Sequence, residues 1–278
     1  MVVGMAMEAV AWRMVASRRR NVWIVMTPAL VLAETVAGGL ALLFLTPLWG
    51  EVKRGFFKLT GAVLFVLATA SWGSVAAGRV EGDEAGTWSL RLSAALAVLL
   101  LAWVALLFLR RPRVARVLGI ASACVSIAVL VAMAGTGEGS WIVALLQLLA
   151  GAGFLGAVMD GLLLGHWYLT DRGLIRTPIN RTTNLLLGGV ALEAVALTLG
   201  GFGPTEPSSD FNPLLTSAGL ASWIALGMVG TTALIAVLIR VTLKGARSSA
   251  VQAATGFFYL AVITALTAEF AAKVRFLP

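Results

Sequence analysis

One cysteine, one histidine and two tyrosines in 278 residues leave little of the usual chemistry of catalysis and metal binding. Cys124 has no second thiol to pair with. Disulfides, CxxC metal sites, thiolate-held iron–sulfur clusters and bis-histidine haem are therefore excluded within this chain. Charge is scarce too, at 12% of residues against 59% hydrophobic, with a mean hydropathy of +0.94. Ordinary globular chains carry about 25% charged residues. A soluble enzyme is excluded, and the solvent for most of this surface must be lipid or other apolar helices.

What is present is long apolar runs. A helix needs about 20 such residues to cross the hydrocarbon core, and eight segments qualify, near 22–46, 56–76, 91–109, 115–134, 141–165, 182–201, 217–240 and 250–272. The expected fold is an all-α, polytopic membrane helix bundle of about eight spans, with residues 1–21 as an N-terminal interfacial segment and 22–278 as one transmembrane domain. Because eight is even, a duplication into two parallel four-helix halves is an open alternative. Leu32-Ala33-Glu34-Thr35 leading to Gly38-Gly39 in the first span has a faint counterpart in Val158-Met159-Asp160-Gly161 leading to Gly165 in the fifth.

Residues 1–20 do not read as a cleavable targeting segment, because they end in Ser17-Arg18-Arg19-Arg20, the reverse of a signal peptide's charge-first order. Most of the 21 Lys and Arg gather in the odd connectors, at Lys53, Arg54 and Lys58, at Arg110 to Arg116, at Arg172 to Arg181, and at Arg240 to Arg247. The even connectors hold Arg79 and Arg91 but more acid, at Glu81, Asp83, Glu84, Glu138, Glu206 and Asp210. The positive-inside rule then puts the odd connectors in the cytoplasm and both termini outside. Only the arginines before the first span disagree. A bacterial plasma membrane is the expected location. Trp23, Trp49, Trp88, Trp141 and Trp167 fall at span ends, as an interfacial aromatic belt would. The net charge of +8 does not indicate nucleic acid, since the basic residues are scattered over short loops beside lipid.

Four acids sit at membrane depth: Glu34, Asp160, Glu193 and Glu269. A carboxylate at the bilayer centre costs at least about 2.5–3.5 kcal/mol, so such groups face a cavity, a partner or each other. Glu34, Asp160 and Glu193 are the proton-relay candidates. Glu269 reads as an outer-interface residue that snorkels or pairs with Lys273. The fifth span ends in His166-Trp167-Tyr168, where imidazole and phenol could hydrogen-bond a quinone carbonyl and exchange its protons; an interfacial anchor explains them equally well. At about 100° per residue, Asp160 shares a face with Trp167 and not with His166. Gly161 and Gly165 are spaced as GxxxG for close helix packing, and Gly188-Gly189 makes the sixth span a neighbour of the fifth. Cys124 and Met159 read as packing residues.

Size, eight spans and the local runs Glu34-Thr35-Val36-Ala37-Gly38-Gly39, Leu162-Leu163-Leu164-Gly165-His166, and Gly256-Phe257-Phe258-Tyr259 through Glu269 to Lys273 resemble the membrane-anchor subunits of the DMSO reductase and polysulfide reductase (NrfD-like) group. The resemblance implies a quinone-interacting subunit of a respiratory oxidoreductase complex. Menaquinone or ubiquinone would be held non-covalently, iron–sulfur or other redox subunits would dock on one face, and no cofactor would be covalently bound. The residues themselves leave two alternatives open: a proton-coupled transporter or channel, and an accessory or assembly subunit.

Overall fold

The structure, a computed structural model, describes residues 26–78, 83–136, 140–171, 173–199, 220–245 and 249–273. The proposed interfacial segment 1–21, Trp23, and the acidic loop residues Glu206 and Asp210 lie outside them. Each apolar run is a helix: α1 (Met26–Leu45), α3 (Arg54–Gly78), α4 (Glu84–Phe108), α5 (Pro112–Ala134), α6 (Trp141–Thr170), α7 (Thr177–Leu199), α8 (Leu220–Leu243) and α9 (Ser249–Lys273), with a single turn, α2 (Leu48–Glu51), between the first two. All eight long helices are long and apolar enough to cross a bilayer. Helix is the form such runs must take there, because it satisfies every backbone N–H and C=O within the segment. The chain is a multi-pass membrane protein.

Several boundaries differ from the sequence reading. Helix α7 begins at Thr177, so Arg181 is helical and not in a connector. Arg91 is in the second turn of α4 and not in a connector, its guanidinium 5.7 Å from the Trp88 ring. The fifth span runs on to Thr170, so His166, Trp167 and Tyr168 are helical. Breaks fall where the chemistry requires them. Pro112 opens α5, where a missing N–H costs nothing. Arg110 closes α4 at φ 58°, with the Arg111 N–H reaching back to the Leu106 carbonyl at 3.2 Å, a left-handed helix end that glycine usually supplies.

The helices pack as two four-membered rings, each in chain order. In the first, α3 packs on α4 and α4 on α5. Helix α1 closes it on both sides: the Ser71 hydroxyl of α3 donates to the Ala29 carbonyl at 2.9 Å, and Gly119 of α5 lies against the Phe44 ring. In the second ring α6, α7, α8 and α9 follow one another and α9 returns to α6. The expected glycines make these contacts. Gly161 and Gly165 receive Phe258 and Thr255 of α9, and Gly189 meets the α6 backbone at Gly153 and Phe154.

The rings meet along α1 and α6, the two most buried spans. A Cβ at Gly38 would stand 1.7 Å from the Ala152 carbonyl oxygen, and one at Gly156 would stand 2.3 Å from the Gly38 carbonyl carbon. The two backbones therefore touch, and no other residue fits either position without parting them. Helix α6 sits at the centre of the assembly, as its glycines suggest. Met159 is buried against Gly39, but Cys124 is exposed on the outer face of α5 and packs nothing in the core.

Candidate functional site

Three helices bring ionisable groups to one point beside the seam. Glu34 of α1, Glu193 of α7, and Glu269 and Lys273 of α9 are each at most 1% exposed. The Lys273 Nζ lies 2.7 Å from Glu34 Oε1 and 3.0 Å from Glu269 Oε2. The Glu193 carboxyl is close enough to Glu34, Glu269 and Lys273 to act electrostatically on all three. Glu34 Oε2, Glu193 Oε2 and Glu269 Oε1 accept no hydrogen bond. The floor of the cluster is Gly151 of α6, where a Cβ would come within 2.7 Å of Glu34 Oε1 and 3.0 Å of Glu269 Oε2. Glycine leaves room for the carboxyls.

Local geometry explains each placement. Glu269 and Lys273 are four residues apart on the last turn of α9, so they share a face, and a cation suits a helix C-terminus. Both are buried among the helices, so Glu269 does not snorkel; it pairs with Lys273, the other course the sequence reading gave it. Helix α9 runs antiparallel to α6, and from Gly151 helix α6 continues ten residues to Trp141, about 15 Å. In α9 the four residues from Glu269 to Lys273 span about 6 Å. Helix α6 therefore flanks the lysine. The i, i+4 spacing of Glu269 and Lys273 was the available signal, but nothing in the sequence says where a helix ends relative to its neighbours.

Asp160 is apart from this cluster. It lies nine residues further along α6 from Gly151, about 14 Å toward the end that carries the basic connectors. It is 2% exposed, neither carboxyl oxygen makes a hydrogen bond, and Oδ1 faces Gly39 across the seam. The proton-relay candidates thus divide: Glu34 and Glu193 come together, and Asp160 stands alone.

His166, Trp167 and Tyr168 do not converge on one point. Successive helical residues point about 100° apart, and here His166 is exposed, Trp167 lays its indole against Gly55 and Phe56 of α3, and the Tyr168 hydroxyl donates to the Ile175 carbonyl. His166 is also fifteen residues, about 22 Å along α6, from the level of the Glu34 cluster. At this end ion pairs join the two rings. Arg181 of α7 makes a bidentate pair with Glu51 at 2.9 and 3.1 Å, and Lys53 lies 2.9 Å from Asp171. Among the described residues no three His, Cys, Asp or Glu side chains are disposed to hold a metal ion. The chain matches no protein-family model, no curated protein and no solved structure.

Proposed function

We propose that this chain is a proton-coupled membrane transporter whose proton-carrying site is the Glu34, Glu193, Glu269 and Lys273 cluster. The observation that carries this reading is the imbalance of charge in a fully buried place: three carboxyls share one ammonium. Complete ionisation would leave two negative charges unbalanced at membrane depth, which is expensive. Binding protons relieves that cost, and a lysine held by two of the acids can lean toward whichever is ionised. A site of this kind couples proton occupancy to the positions of the helices that supply it, here α1 from one ring and α7 and α9 from the other. Two rings of four helices joined along one seam suit movement of one half against the other.

The quinone-subunit reading also draws on the buried carboxyls, but the residues it assigns to the quinone head, His166, Trp167 and Tyr168, point in three directions, and His166 lies about 22 Å along α6 from the level of the Glu34 cluster, which supports transport. The test is reconstitution of the purified chain in liposomes with a trapped pH-sensitive dye, followed by a screen of solutes for those whose addition moves protons. Wild type should give a solute-dependent pH change that Glu34→Gln abolishes in a correctly folded protein. A chain that moves no protons but purifies with redox subunits, and whose Glu34→Gln variant loses reduction of a soluble quinone analogue, would overturn the transporter reading and support the oxidoreductase one.

A further inference from the structure

Asp160 lies outside the cluster, yet it has the features of a second site. It is buried on the seam, faces Gly39 and bonds to nothing. The elements packed on α6 here bring no charge to it. On α1 the ionisable group is Glu34, and on α9 Glu269 and Lys273 belong to the cluster while Tyr259 points outward, 51% exposed. On α3, Lys58 sits 4.1 Å over the Phe108 ring and Arg54 is exposed; on α5, Arg113 and Arg116 are exposed; on α7, Glu193 is in the cluster and Arg181 pairs with Glu51. A lone carboxylate with helical backbone and apolar side chains around it offers too few oxygens for a metal ion, which needs six or more in the case of calcium. The cation it can hold is a proton.

Between Asp160 and the basic end the seam is spanned by identifiable parts. Trp167 lies seven residues on, two turns along the same face, with its ring centroid 6.4 Å from that of Phe56 across the seam. Close to its level the Glu51–Arg181 pair bridges the rings. On the other side of Asp160 the Glu34–Lys273 pair does the same. An unpartnered acid thus sits between two ionic clasps, each of which ties one ring to the other.

Resting on the transporter reading, we infer that Asp160 is a second proton-binding station, reached from the basic end when the Glu51–Arg181 clasp and the Trp167 contact open. A carboxylate oxygen of Asp160 takes a proton from hydronium on that side, an O–H bond of hydronium breaking as the carboxyl O–H forms and a water molecule being left. When the clasp closes and the seam loosens toward Glu34, that carboxyl O–H breaks and the proton passes along water admitted to the loosened seam to an ionised carboxylate of the cluster, so that Asp160 regains its negative charge as the acceptor loses its own. Glu51–Arg181 is the gate and Asp160 the group behind it.

The experiment is infrared spectroscopy of the full chain in lipid nanodiscs, following the carbonyl stretch of protonated carboxyl groups on transfer to D2O. Asp160→Asn should remove one component of that band and Asp160→Glu should restore it at a shifted position. In Arg181→Gln and Glu51→Gln the same component should exchange roughly fivefold faster than in wild type, the shift given by losing one part-buried ion pair, while Arg110→Gln leaves it unchanged. If Asp160→Asn fails to fold, the shifted band of Asp160→Glu identifies the component. Loss of no component, or exchange indifferent to the clasp, overturns the inference even where Glu34→Gln still abolishes proton movement. Absence of proton movement in the liposomes with the Asp160 band present would instead overturn the transporter reading.

Discussion

The two four-helix rings share one packing plan and differ in what they bury. The first ring, with α1, α3, α4 and α5, has an apolar and hydroxyl core around Trp103, Ser93, Ser122 and Ser126, and its buried acid is Glu34, at the seam. The second supplies Asp160, Glu193, Glu269 and Lys273. Closing a ring of membrane helices therefore needs no buried charge; small residues, hydroxyls that bond back to their own helix, and apolar contacts are enough, as in Ser122 to Leu118 and Thr183 to Ile179. The charge in the second ring must be there for something other than closing it.

The comparison can be broken most severely at the seam that joins the rings. Gly156→Leu should abolish assembly, because even a Cβ collides with the Gly38 backbone, whereas Ala105→Leu on the exposed face of α4 should be tolerated. Yield of monodisperse protein after detergent extraction measures the difference, and equal yields would contradict a backbone contact between α1 and α6. Next in size is the cation of the cluster. Lys273→Met leaves three buried carboxyls without a partner and should cost about 3–5 kcal/mol. Ser126→Ala in the first ring, whose hydroxyl bonds only the Ala123 carbonyl of its own helix at 2.7 Å, should cost about 1 kcal/mol or less. Thermal unfolding of the two variants in one detergent compares them directly, and similar losses would mean that the cluster is no different from ordinary core.

The smallest effect lies away from both buried regions. Arg110 ends α4 in the left-handed conformation, which costs a side-chain-bearing residue about 1 kcal/mol. Arg110→Gly should raise stability by about that amount without altering either ring. A lower midpoint in the same unfolding measurement would mean that the basic side chain contributes more than its backbone costs.

The fold was legible because a bilayer simplifies the rules: an apolar run of sufficient length must be a helix, and connectors announce themselves with Pro, Gly and charge. Glu84 to Arg91 misled because a helix can extend past its apolar stretch when Trp88 and Arg91 cover each other. Half of the cluster was legible as well, since Glu34 and Glu193 are conspicuous in mid-span. The pairing of Glu269 with Lys273 could be read from their spacing, but their meeting with Glu34 and Glu193 could not, because it depends on which helices pack together. The divergence of His166, Trp167 and Tyr168, by contrast, follows from helical geometry alone once the fifth span is extended to Thr170. What stayed hidden was how the rings meet, since contacts such as Gly38 to Gly156 leave no mark on either segment beyond a glycine.

The central claim is that Glu34 and Lys273 act as one charged unit across the seam. A double-mutant cycle tests it most directly, with the stability of wild type, Glu34→Gln, Lys273→Met and the double variant measured by thermal unfolding in one detergent. The account predicts that the double variant is more stable than the sum of the single losses implies, by about 1–3 kcal/mol, because each single variant loses the same Glu34–Lys273 contact and their sum counts it twice. Additive losses, to within about 0.5 kcal/mol, would contradict it.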